Sequence, residues 1–309
     1  MILKSVLTTA ILLLLYTLII VSCHDSIKHT GQNTFQRNTA KAEEYVYEAN
    51  SHYDTVLVGS SMSERLIMDS LPGPCYNLAM AGLSSLDGLQ LIKQSARWPR
   101  LIYVEQNTLD RGQTSDLLRM FNNPRRQFIN QYFPFLRQKY QPVGVVKSVL
   151  RNWKYGQTQF VDFGGSTLLD TTFQTKAVQE KLQEMDHGPA DSVLRAHVQV
   201  AWQYVEAFRR EGTKIVFYEM PVDRRLQNHR LTSCVRQCLR TRFPASQFPT
   251  VCVPPDAYQT SDGVHLTRSE NIRYTAYLRK QLNQLAEGYL VSQTDPNVNP
   301  PFVRPGAGR

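Results

Sequence analysis

Short apolar runs at residues 55–58, 75–78, 101–104, 214–218 and 251–255 alternate with segments whose apolar residues recur every three to four positions. The first pattern is that of buried strands and the second that of amphipathic helices. Helical segments are expected at 34–50, from 62 to 68, and at 84–97, 191–210, 228–242 and 266–286. The segment at 84 opens on Ser84-Ser85-Leu86-Asp87, a capping-box-like start with Asp in place of Glu. Strand and helix in alternation fold into a sheet of parallel strands, because each strand returns to the same edge through a crossover helix. The chain is therefore expected to be α/β, a three-layer sandwich around a central, mostly parallel sheet. With 309 residues, 42% of them hydrophobic and 20% charged, it can bury a core of that size.

The alternation is lost from about 111 to 189, which reads as an insertion lying over the scaffold. Between Arg111 and Phe160 there are nine Lys or Arg against one acid, Asp116, with aromatics such as Phe128, Tyr132, Phe133, Tyr140 and Trp153 interleaved. Residues 124–155 read as helical, and the whole segment 111–155 as a lid or docking face. A nucleic-acid surface has this composition, but an exported chain meets anionic lipid or acidic polymer instead; a basic face over an aromatic core has it too. No nucleic-acid partner is expected.

Export is indicated by the N-terminus. Lys4 precedes an apolar run from Val6 to Val21 that ends at Ile20-Val21-Ser22-Cys23. Such a run is an export signal or a membrane anchor. Cys23 sits where a bacterial lipoprotein is cleaved and lipidated, so residues 1–23 are either a lipoprotein signal or an uncleaved anchor. In both cases the globular part lies in the cell envelope outside the cytoplasm, attached to the membrane through its N-terminus. Residues 24–50 read as a tether and leading helix, 51–287 as the main domain, and the Pro- and Gly-rich 288–309 as a disordered tail. Cys75, Cys234, Cys238 and Cys252 would form one disulfide involving Cys252 or remain buried thiols. Nothing in their spacing calls for a metal, and no cofactor motif is present.

The chemistry is carried by two runs. Asp262-Gly263-Val264-His265 places a carboxylate three residues before an imidazole on a Gly turn. Gly59-Ser60-Ser61 follows the first strand and opens a helix. A serine hydroxyl needs a base within hydrogen-bond reach, and that base needs a carboxylate to orient it. His265 and Asp262 suit those roles, with Gly59 allowing a tight turn and the helix start favouring negative charge. Strand ends at Ala81-Gly82, Gln106-Asn107 and Glu219-Met220-Pro221 would gather at the same edge of the sheet.

Those runs together resemble the SGNH hydrolase superfamily of GDSL-type esterases and lipases, from residue 54 to about 285. Gly59-Ser60-Ser61 is similar to its Gly-Asp-Ser block and aligns Ser61 with the nucleophile. Asn77-Leu78-Ala79-Met80-Ala81-Gly82 matches its second block, and Asp262 to His265 its last. The resemblance implies a flavodoxin-like sheet, a catalytic Ser61, Asp262 and His265, and an oxyanion hole including the Gly82 N–H. The third block, Val104-Glu105-Gln106-Asn107-Thr108, lacks the family's Gly and final Asp; Asn107, or less well Gln106, would supply its oxyanion donor. The Gly-Ser-Ser form and the N-terminal apolar run look more like the envelope acyl-transfer branch, which includes the teichoic acid D-alanyl transfer protein and polysaccharide O-acetylation proteins.

Two functions follow. One is a serine-dependent ester hydrolase or O-acyltransferase for acylated envelope glycans or lipids, working through an acyl-enzyme, with an envelope acyl-transfer partner in the second case. The other is a non-catalytic envelope binding or assembly protein that retains the fold, an alternative the altered third block favours and the intact Ser61, Asp262 and His265 oppose.

Overall fold

The computed structural model describes residues 2–23, 27, 30–155 and 171–294. Five strands form one sheet: β1 (Thr55–Val58), β2 (Cys75–Asn77), β3 (Leu101–Glu105), β4 (Lys214–Tyr218) and β5 (Thr250–Val251). Their spatial order is β2-β1-β3-β4-β5 and every adjacent pair is parallel. This is the flavodoxin-like strand order, in which the chain reverses its direction of travel across the sheet between β1 and β3. A crevice opens at that reversal, at the carboxyl ends of the strands.

The strands are apolar on both faces, as a sheet covered on both sides requires. Val56, Val58, Ile102, Val104, Ile215 and Phe217 point to one side. There they meet α2 (Thr34–Tyr47), α4 (Ser85–Gln94), α9 (Asp191–Arg210) and α11 (Arg230–Arg242). Leu57, Tyr103, Val216 and Tyr218 point to the other, against α3 (Ser61–Glu64) and α12 (Arg268–Thr294). Alternate residues of each strand thus feed two separate cores, with the sheet as the middle layer.

Local signals set the helix ends. At α4, the Leu86 N–H donates to Ser84 Oγ at 3.2 Å while Asp87 Oδ2 accepts the Ser84 N–H at 2.9 Å, a complete capping box. Helix α12 continues through Thr294, so residues 288–294, expected in the tail, lie on a helix. The remaining tail residues, 295–309, lie outside the described residues.

The connection from β3 to β4 carries the inserted helices. α5 (Ser115–Asn122), α6 (Pro124–Tyr132) and α7 (Pro142–Tyr155) pack toward α4, α2 and the N-terminal helix α1 (Ile2–Ser22). α8 (Thr171–Asp186), a segment whose apolar pattern is too sparse to mark it as a helix, packs instead on α10 (Arg224–Gln227). Three of the nine basic residues pair with acids of α2 and its C-cap Glu48. Arg137 meets Glu48 at 2.6 Å, Lys139 meets Glu48 at 3.4 Å and Glu44 at 3.6 Å, and Arg126 lies 3.9 Å from Glu43. Part of the basic segment is therefore structural glue for the leading helix rather than a free charged face.

Helix α1 is 21 residues long, apolar enough to cross a membrane, and exposed except at the half-buried Tyr16 and Thr17 and the buried Ile20. Its C-terminal part joins a small third cluster: Ile20 and Ile27 pack with Tyr140 and Val145, and Tyr16 Oη donates to the Tyr140 carbonyl at 2.7 Å. All five cysteines are free, so of the two alternatives for Cys75, Cys234, Cys238 and Cys252 the structure has the thiols. Cys23 and Cys252 are exposed, while burial pushes the Cys75 thiol up to about 12.

Candidate functional site

The nucleophile turn is built by the exit of β1. The chain leaves Val58 through Gly59 and enters α3 at Ser61. Ser60 is the cap: its Oγ accepts the Met62 N–H at 3.3 Å. Ser60 and Ser63 are buried, whereas Ser61 is half-buried and faces the crevice edge. Of the three serines, Ser61 alone is hydrogen-bonded to an imidazole.

That imidazole comes from the loop after β5. Thr260 and Leu266 form an antiparallel bridge, closing a short turn between them. Gly263 sits at φ +93°, a conformation that favours glycine. Asp262 Oδ1 accepts the Val264 N–H at 3.1 Å and the His265 N–H at 2.8 Å. Its Oδ2 accepts His265 Nδ1–H at 2.6 Å, and His265 Nε2 accepts the Ser61 hydroxyl at 2.8 Å. The structure thus brings Ser61, His265 and Asp262 into one hydrogen-bonded chain across 204 residues of sequence. Burial is the strongest single influence on the Asp262 carboxyl and opposes its ionisation. The hydrogen bonds and charge of His265, with the Val264 N–H, outweigh it and hold the group down at about 2. An ionised Asp262 keeps the proton on Nδ1, which leaves Nε2 as the acceptor.

Gly82 sits in a turn stapled to the nucleophile turn. Met80 N–H donates to the Gly59 carbonyl at 3.0 Å, and Leu83 N–H to the Met80 carbonyl at 3.2 Å. With Gly82 at φ +76° in the third position, the latter is a type II turn. α2 clamps it: Asn38 Nδ2 donates to the Ala81 carbonyl at 2.8 Å and Lys41 Nζ to the Ala79 carbonyl at 2.7 Å. Asn77 braces α3, donating to the Ser63 carbonyl at 3.0 Å.

The third block is arranged differently from what the resemblance implies. The Asn107 amide is turned onto the chain after β4: Nδ2 donates to the Met220 carbonyl at 2.9 Å and Oδ1 accepts the Met220 N–H at 2.7 Å. Gln106 Nε2 donates to Glu219 Oε2 at 2.9 Å. Asn107, expected as the oxyanion donor with Gln106 as the lesser choice, is thus anchored to the chain after β4 by both ends of its amide, and Gln106 by one of its amide N–H groups.

Glu105 is the residue that sequence reasoning passed over. Fully buried at the end of β3, it accepts the Ser60 N–H at 2.8 Å and the Ser60 hydroxyl at 2.8 Å, together with a short bond from the Ser63 hydroxyl. Tyr218 Oη donates to Ser63 Oγ at 2.7 Å. Burial pushes the Glu105 carboxyl up, while the three serine donors pull it back. The network spans β1, β3 and β4 at the strand reversal and fixes the turn that carries Ser61.

α8 was missed as well. Gln174 Nε2 donates to the Thr260 carbonyl at 2.8 Å, and Val178, fully buried, lies against Gly263. The element that covers the His265 loop is therefore α8, not the basic aromatic segment 111–155. A cavity of about 410 Å³ runs between the ends of β3 and β4 and the α8–α9 connection. It is bounded by Met62 and Val264, the chain neighbours of Ser61 and His265, and lined by apolar Met185, Val222 and Leu226 with Arg111 and Lys181 among its cations.

No protein-family model matches the chain, and no curated protein matches it in sequence. A solved structure provisionally described as a platelet activating factor from Streptococcus pneumonia superposes with a TM-score of 0.43 at 11% identity, covering 82% of this chain and 92% of that one.

Proposed function

We propose that the protein is a serine-dependent ester hydrolase or O-acyltransferase that works through an acyl-enzyme on acylated envelope glycans or lipids. The observation that carries this reading is the chain Asp262–His265–Ser61, with contacts of 2.6 and 2.8 Å. Such an arrangement raises the nucleophilicity of a hydroxyl that is otherwise inert at neutral pH.

In the proposed reaction His265 Nε2 takes the Ser61 proton as Oγ attacks the ester carbonyl, and the resulting imidazolium is stabilised by Asp262. The oxyanion is received by backbone donors, the N–H of Ser61 at the first position of α3 and the N–H of Gly82. Asn107 and Gln106 act on the scaffold here, since their amides hold Met220 and Glu219. His265 then protonates the leaving alcohol, leaving Ser61 acylated. Water or a sugar hydroxyl, deprotonated by the same Nε2, attacks the acyl-enzyme and regenerates Ser61. The mixed apolar and charged cavity beside Met62 and Val264 accommodates the acyl group or the alcohol portion of the substrate.

The reading is tested by hydrolysis of short aryl esters, acetylated xylan and acetylated alginate by the full-length chain, beside the His265→Ala variant. Turnover by wild type that falls with the variant supports it. A folded wild type with no activity on any acylated substrate and no acyl-enzyme favours the non-catalytic alternative.

A further inference from the structure

Ten large apolar side chains between residues 128 and 153 are exposed, on a part of the molecule remote from the two main cores. On α7, Val143, Val146, Val149, Leu150 and Trp153 recur at the spacing of one helix face and all point outward; Trp153 is 86% exposed. Val145 and Ser148, on the opposite face, are buried. The apolar stripe is thus the outer surface of a helix whose inner surface is already packed. α6 and the turn after it add Phe128, Tyr132, Phe133 and Leu136 to the same exposed set. An apolar surface of this extent marks a contact with something that is not water.

We infer that the outer face of α6 and α7 docks onto the surface of a phospholipid bilayer, with its rings and aliphatic side chains in the headgroup and upper acyl region. Three observations select lipid as the occupant. First, the inner side of the helix that carries this face is packed beside the apolar helix α1. Val145 and Tyr140, at the start of α7 and just before it, are packed against Ile20 and Ile27, and Tyr16 bonds the Tyr140 carbonyl. Whether α1 stays as an anchor or Cys23 carries the attachment, the chain meets the membrane beside this face. Second, exposed cations accompany the stripe. Lys147 and Lys154 lie seven residues apart on one flank of α7, Arg125 lies on α6, and no acid occurs from residue 117 to 155. Lysines flanking an apolar stripe extend toward lipid phosphates while their stems stay on apolar surface. Third, the exposed set is rich in Trp, Tyr and Phe, the residues that favour the membrane–water boundary. The inference is independent of the reaction assigned to Ser61. It adds a second membrane contact, which fixes the orientation of the domain over the bilayer.

The test uses the intrinsic fluorescence of full-length protein reconstituted into phosphatidylglycerol–phosphatidylcholine vesicles, with and without brominated acyl chains. Trp98 is packed edge-on against Phe208, and Trp202 against Phe243 and Phe248, so neither reaches lipid. Brominated lipid should quench a fraction of the emission that is lost in Trp153→Phe. The double variant Val146→Asp/Leu150→Asp, at two exposed positions, should abolish that quenching with an unchanged circular dichroism spectrum. Emission that brominated lipid leaves untouched in wild type would overturn the inference. So would a Trp153 shielded from acrylamide but not reached by lipid, which would assign the face to a second copy of the chain.

Discussion

Glu105 and Gly59 are in such close approach that a Cβ on Gly59 would fall 2.5 Å from Glu105 Oε2. Gly59 is not among the glycines at positive φ, so the site requires glycine for space rather than for backbone freedom. The vacancy lets a buried carboxylate reach the Ser60 N–H and hydroxyl and the Ser63 hydroxyl at once. The nucleophile turn is therefore held from beneath, while Ser61 is left free to face His265.

Disturbing this contact should affect activity and stability together. Gly59→Ala should cost about 1–3 kcal/mol through overpacking against a group that cannot move without breaking its bonds. Glu105→Ala should cost about 2–4 kcal/mol, since it leaves three buried serine donors without an acceptor and opens a cavity. Urea unfolding measures both. Glu105→Gln keeps the volume but turns one acceptor into a donor, so it should slow acylation of Ser61 with a smaller loss of stability. Stability and acylation rates equal to wild type in Glu105→Ala would contradict a positioning role.

The Asp262–His265 pair has a signature in pH. Asp262 is held at about 2 in the folded chain, against about 3.9 for an aspartate in an unfolded chain. A depressed carboxyl binds protons less tightly when folded, so its contribution to stability is fully present above about pH 4 and is lost as pH falls toward 2. With the group partly open to solvent, the amount lost should be on the order of 1–2 kcal/mol. Denaturant midpoints of wild type and Asp262→Asn, compared at pH 4.5 and 2.5, should converge at the lower pH. An equal gap at both would show that the carboxylate is not ionised against His265.

The ion pair of Arg137 with Glu48 tests how the basic segment is held. Both side chains are largely buried, and Arg137 also donates to the Asn130 carbonyl at 2.6 Å. Arg137→Ala would leave Glu48 with Lys139 at 3.4 Å and the Tyr140 hydroxyl at 3.0 Å, so the cost should be that of one charged hydrogen-bonded contact, about 1–3 kcal/mol. Thermal unfolding should show a corresponding drop in Tm. A loss below about 0.5 kcal/mol would mean that the pair behaves as an exposed surface bridge.

Much of the architecture was legible because it rests on local pattern. The strand runs at 55–58 and 214–218 and the helix at 191–210 carry unbroken apolar periodicity, and the structure places strands and helix at those bounds. Asp262 and His265 were legible because a three-residue spacing on a Gly turn is itself the geometry. What escaped depends on contacts far apart in sequence. Glu105 reads as the charged end of a strand; only the parallel pairing of β1 and β3 puts it under Ser60. Asn107 reads as a polar residue after a strand, suited to a ligand, and only the pairing of β3 with β4 reveals that Met220 takes its amide. α8 fully buries Val178 alone, so its sequence shows only the short stripe Val178, Leu182 and Met185 among polar residues. The basic residues look like one face, but Glu48, the C-cap of α2 that pairs with Arg137 and Lys139, lies about 90 residues earlier.

The most direct test of the central claim is covalent labelling by a fluorophosphonate, which reacts only with a serine activated by its base. Wild-type protein should be labelled with one adduct per chain. Ser60→Ala should retain labelling, Ser61→Ala should lose it, and His265→Ala should lower its rate by a factor on the order of 10⁴ or more while remaining folded. Labelling that persists in folded Ser61→Ala, or at an unchanged rate in His265→Ala, would contradict Ser61 as a nucleophile activated by His265.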